Sequence, residues 1–88
     1  MQWKDCNKYK NLSASAGIKN GQGVLSGMYV NSTSAGTIKL WDNTAASGTV
    51  IFNTITPAVG YHNLGNVTFS TGLYATIGAT LDVTLFYE

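Results

Sequence analysis

The sequence predicts an all-β fold: a single antiparallel β-sandwich of jelly-roll or Greek-key type with about seven strands. Three observations predict it. Thr, Ser, Asn and Gly supply 36 of the 88 residues, Arg is absent, and Glu occurs once, so helix formers are scarce while β-branched and turn residues abound. Residues 81–88 alternate strictly, with Leu81, Val83, Leu85 and Tyr87 on one face and Asp82, Thr84, Phe86 and Glu88 on the other. Turn signals rich in Gly, Asn and Ser separate short apolar runs along the rest of the chain. Eighty-eight residues allow one core and one domain.

Residues 1–11 differ in composition, holding three of the five Lys, and read as an N-terminal arm or irregular segment anchored by Trp3 or Tyr9. A first edge strand is the open alternative. Residues 12–88 are the sandwich domain. The run "SASAGIK" (13–19) alternates small residues and ends at Asn20-Gly21, the strongest hairpin signal in the chain. Val24–Ser32 follows, with Val24, Met28 and Val30 on one face and Leu25, Tyr29 and Asn31 on the other. Residues 33–36 turn the chain. Thr37–Asp42 then sets Ile38 and Leu40 against Lys39 and Trp41, and 43–48 form a second hairpin loop into Thr49–Ile55. Pro57 ends pairing, and 57–66 form the longest connection, long enough to cross between sheets. Val67–Ser70, a turn at 71–72, Leu73–Ile77, a turn at 78–80 and the closing strand complete the order. The expected core is Ile18, Met28, Val30, Ile38, Leu40, Ile51, Phe69, Leu73, Ile77, Leu81, Val83 and Leu85.

Little in the chain reads as catalytic. Asp5, Asp42, Asp82 and Glu88 are the carboxylates, and none has a partner at a spacing suited to acid–base work. Asp42 opens an Asp-Asn turn, where a carboxylate caps backbone N–H groups. One Cys, Cys6, and one His, His62, make neither a disulfide nor a zinc site. The Gly-rich run at 21–27 lacks the third glycine spacing and the helix that a phosphate loop needs. The expectation is therefore no enzyme, no cofactor and no metal. A net charge of +1 with no Arg argues against nucleic acid, and the lack of any long apolar run argues against a membrane span or a signal peptide. The Asn-X-Ser/Thr triplets at Asn11, Asn31 and Asn66 follow from composition alone.

The aromatic residues placed off the core are the functional lead. Trp41, Tyr74 and Phe86 face outward on their strands, while Trp3 and Tyr61 sit outside regular strands. With Lys4, Lys8 and Tyr9 of the arm, they are the candidate protein-contact residues, because aromatic rings mark interfaces.

"YVNSTSAGTIKLWDNTAASGTVI", the "NTITP" strand end and "GLYATIGATLDVT" resemble small β-sandwich virion proteins of tailed bacteriophages. The likeness spans 23–57 and 69–88 and leaves out the arm. It implies a capsid decoration (cement) protein on the virion exterior, made in the host bacterial cytoplasm, that binds and stabilises a shell of major capsid protein. A head-fibre, neck or tail part is the second structural reading, and a carbohydrate-binding module on the virion surface is the reading from another class. The outward aromatics on so small a domain lead to the expectation of a symmetric homo-oligomer, a trimer.

Overall fold

In the computed structural model, which describes residues 8–88, six strands follow one another with no helix: β1 (Lys8–Leu12), β2 (Ala16–Asn20), β3 (Gly23–Asp42), β4 (Thr49–Ile55), β5 (Gly60–Phe69) and β6 (Gly72–Tyr87). All pairings are antiparallel. β3 and β6 pair along their length and form the spine. β1 and β2 pair with the two ends of β6, and β5 and β4 pair with the two ends of β3.

The spine is folded in half. Twenty residues of extended chain reach roughly 66 Å at about 3.3 Å per residue, yet the longest extent of the molecule is 36 Å. Gly23, at the start of β3, pairs with Phe69, and the carboxylate of Asp42, at its end, accepts the N–H of Ser70 at 3.0 Å. Leu73, near the start of β6, pairs with Lys19, whose Nζ lies 3.0 Å from the Glu88 carbonyl beyond its end. The sheet therefore closes on itself as two layers of four. Layer one runs β1, the second half of β6, the first half of β3, β5. Layer two runs β2, the first half of β6, the second half of β3, β4. This is the double Greek-key order of a jelly roll.

Both spine strands bend at one corner. The β3–β6 register shifts between Ser34 and Ala35, both of which face Thr80. Ala35 and Ala79 take φ of 57° and 55° there, in the left-handed region that non-glycine residues seldom occupy. Residues 33–36 and 78–80, expected as turns, are thus corners inside continuous strands, so the seven expected strands fuse to five, and β1 makes six.

Topology corrects three further expectations. β2 pairs with β6 and not with β3, so Asn20-Gly21 is an arch between layers. Gly21 supplies the positive φ (87°) that Asn-Gly signals, and its N–H bonds the Thr71 carbonyl at 2.9 Å across the neighbouring arch. The 57–66 connection does cross between layers, but β5 already begins at Gly60. β1 begins at Lys8, so the last residues assigned to the arm form an edge strand of the domain. The loop after Asp42 is a hairpin as expected, with Trp41 opposite Val50 and Asp42 opposite Thr49.

The core lies between the layers: Leu12, Leu25, Met28, Val30, Ile38, Leu40, Phe69, Leu73, Ala75, Leu81, Val83 and Leu85. Ile18, Ile51 and Ile77 pack at its margin. Leu25 is fully buried, although alternation places it outward, because the ladder shifts register between Leu25 and Gly27 and returns Leu25 to the face of Met28 and Val30.

Asp42 fastens the arch between β5 and β6. Its carboxylate accepts the N–H groups of Thr71 at 2.8 Å, Ser70 at 3.0 Å and Gly72 at 3.4 Å. These donors, Thr71 foremost, hold the carboxyl below its ordinary value against the opposing effect of burial. A folded-state value below the unfolded one gives stability that is complete above the unfolded value of about 3.9 and fades as pH falls through the folded one. Asp42→Ala is expected to cost about 1–2 kcal/mol at neutral pH. Urea midpoints at neutral pH and near pH 2 check this, since the gap to wild type should shrink in acid. An unchanged gap would show that the charge plays no part.

Candidate functional site: two aromatic faces

The outer face of layer one gathers the exposed rings. Alternation turns Tyr9 and Asn11 of β1, Tyr29 and Asn31 of β3, and Asp82, Thr84 and Phe86 of β6 away from the core. The register sets Tyr9 beside Phe86, Asn11 and Tyr29 on either side of Thr84, and Tyr61 of β5 beside Tyr29. Gly27 shapes the patch. A Cβ there would meet the Tyr61 hydroxyl, and its ring Cζ at 2.8 Å, so the missing side chain lets that ring lie across β3. Tyr61 thereby reaches Phe86, with centroids 6.3 Å apart and planes inclined by 44°. Tyr9 is 71%, Tyr61 55% and Tyr29 44% exposed, which makes them the accessible part of the arc.

A polar row borders these rings. The Asn11 amide nitrogen donates to Asp82 Oδ1 at 2.7 Å and lies 3.3 Å from Thr84 Oγ1. Asn31 does the same from the other side, at 3.0 and 3.2 Å. A carboxylate only accepts, so the nitrogen of each amide must face it, and each side-chain carbonyl is turned elsewhere. Among the described residues no hydrogen bond reaches those two carbonyls or Asp82 Oδ2.

The outer face of layer two carries a different surface. Trp41 pairs with Tyr74, and Tyr74 with Gly17, whose bare Cα lies beside the Tyr74 ring. Trp41 donates Nε1–H to Thr76 Oγ1 at 2.9 Å, and the Lys39 ammonium sits 4.3 Å from the indole centroid, a cation–π contact. The rings are half-buried, and the indole donor is satisfied within the protein.

Of the residues singled out from sequence, Tyr9, Tyr61 and Phe86 come together on layer one, and Trp41 and Tyr74 on layer two. Lys8 stands on the β1 edge, 3.6 Å from the Glu88 carboxylate. Trp3 and Lys4 lie outside the described residues, as does Cys6. Sequence reasoning missed Tyr29 and the row of Asn11, Asn31, Asp82 and Thr84. Each was placed on an outward face or in the arm, but only the strand register brings them side by side. His62, on β5, bonds the carbonyl of Ala58 in the connection before it at 2.7 Å. Among the described residues no group of three His, Cys, Asp or Glu is placed to hold a metal ion, and no helix is long and apolar enough to cross a membrane. A shallow depression lined by Lys19, Gln22, Val24, Thr68, Ser70 and Glu88 lies at the opposite end from the corner, away from both faces.

No family model matches the chain, and no curated protein or solved structure matches it either.

Proposed function

We propose that this protein is a capsid decoration (cement) protein of a tailed-phage virion. It binds the major capsid protein on the outside of the shell, as a symmetric homo-oligomer, a trimer, and stabilises the assembled shell. The resemblance of 23–57 and 69–88 to small virion β-sandwiches supports the class of protein. One structural observation carries the contact: on the outer face of layer two the Trp41 indole is anchored and its N–H is satisfied. Its N–H is bonded to Thr76 and its ring is held under Lys39, so covering the indole leaves its own donor paired and freezes little of its motion. Fixed aromatic rings of this kind serve as hot spots of protein contacts. Many weak contacts repeated over a shell add through multivalency, and binding the assembled shell in preference to free subunits stabilises it by mass action.

The test is a count of copies on purified virions of the phage that encodes the chain, followed by rebinding to stripped shells. Many copies per particle are expected. Trp41→Ala should weaken rebinding by about 2 kcal/mol, roughly thirtyfold, while its melting curve reports separately on folding. A few copies at one vertex would instead assign a neck, tail or fibre part.

A further inference from the structure

The geometry points to a second binding surface: the outer face of layer one takes a neutral glycan, held by Tyr9, Tyr29 and Tyr61 against the acceptor row of Asn11, Asn31 and Asp82. This does not depend on the virion reading, and it uses the layer opposite the proposed shell contact. Two features must be explained together. The face exposes several rings in one arc, and beside them it leaves hydrogen-bond acceptors without donors among the described residues.

A pyranose answers both. One side of the sugar ring is a sheet of C–H bonds with slight positive charge, which packs on the negative face of an aromatic ring. Its rim is hydroxyl groups, which donate to carboxylate and amide oxygens. The acceptors are held ready, because Asp82 fixes both amides at 2.7 and 3.0 Å and so fixes where their carbonyls face. From β1 to β5 the face crosses three inter-strand steps of about 4.8 Å, roughly 14 Å, which suits an oligosaccharide laid across the strands rather than a single sugar.

Other occupants fit less well. A dry protein contact would strand the Asn and Asp oxygens, each unmade bond costing more than a neutral one gains. Nucleic acid would bring phosphates toward the Asp82 carboxylate. Lys8 and Lys10 alternate with Tyr9 and Asn11 along β1 and so point off this face. The same carboxylate disfavours acidic sugars, which leaves neutral ones.

The test titrates the full chain with cellohexaose, maltohexaose, xylohexaose, mannohexaose and chitohexaose, followed by amide chemical shifts. At least one is expected to bind, with shifts confined to β1, the second half of β6, the first half of β3, and β5. Tyr29→Ala and Tyr61→Ala should each weaken that binding about tenfold or more. Tyr29→Phe keeps the stacking ring and should change it by less than about threefold, and Asp82→Asn, which exchanges an acceptor for a donor, should weaken it. Thr54→Ala, on β4 in the other layer, should leave it unchanged. If none of the five binds, or if binding survives both Tyr→Ala substitutions, the proposal is wrong. Should the alanine variants fail to fold, the Asp82→Asn and Tyr29→Phe pair decides: equal loss in both, or loss in neither, overturns it. Shell rebinding that survives in Tyr61→Ala would leave the decoration reading standing whichever way the sugars fall.

Discussion

Val83→Asp is expected to leave the chain unfolded at room temperature. Val83 is fully buried on β6, opposite Leu12 on one side and Val30 on the other, in the middle of layer one. Removing its burial costs about 1.5–3 kcal/mol. An unpaired carboxylate in that place adds several more, whether it stays charged or takes up a proton. A chain of this length has roughly 4–13 kcal/mol of stability in total, so the substitution consumes most of it or all of it. Far-UV circular dichroism and amide dispersion of the variant give the answer. A variant that melts with wild type would mean that β6 presents its other face to the core.

The β6 face was legible because it combines strict alternation with burial on one side only, the condition under which period two speaks unambiguously. The same rule placed Met28, Val30, Ile38 and Leu40 correctly and failed at Leu25, where a register shift at Ser26 moves one residue to the other face. Alternation counts residues and cannot see a bulge. Connections were harder. Asn20-Gly21 and the 71–72 turn both carry hairpin chemistry, and both are arches between layers; the positive φ that Gly21 supplies serves either bend. Hairpin and arch differ only in which strand the chain meets next, and that is decided by β6 pairing with β2, some fifty residues away in sequence.

The site divides in the same manner. Outward aromatics follow from alternation, so Trp41, Tyr74 and Phe86 could be named from sequence. Their grouping could not. Tyr61 meets Phe86 only because Gly27, on a third strand, has no side chain to hold the rings apart. Asn11 and Asn31 converge on Asp82 from strands on either side of β6, twenty residues from each other and more than fifty from Asp82 along the chain. A local pattern carries no information about such a convergence. It arises when the spine folds and fixes the register of its neighbours.

Gly36→Val is expected to break the corner on which that folding depends. Gly36 is buried where β3 turns against β6, and its N–H bonds Thr33 Oγ1 at 3.0 Å. A Cβ there would run into the Thr80 carbonyl and stand 2.6 Å from Leu81 Cβ. Neither is the free end of a flexible side chain, so the two spine strands would have to separate at the bend. Overpacking of this kind costs about 1–3 kcal/mol for a single methyl, as in Gly36→Ala, and a β-branched side chain exceeds that. Two neighbours show whether the effect is steric or merely glycine-specific. Gly78→Ala meets Thr37 Oγ1 at 2.6 Å, a hydroxyl that can rotate away, and should cost less. Ala35→Gly relieves a φ of 57° on a non-glycine residue, worth about 1–2 kcal/mol. It gives back roughly 0.5–1 kcal/mol in chain entropy, so it should be neutral or slightly stabilising. Urea unfolding of Gly36→Ala, Gly78→Ala and Ala35→Gly should therefore rank them in that order of damage, with Gly36→Val unfolded or nearly so. A Gly36→Ala midpoint equal to wild type would mean that the corner is open, and that the two layers are held by the core and by Asp42 without help from the bend.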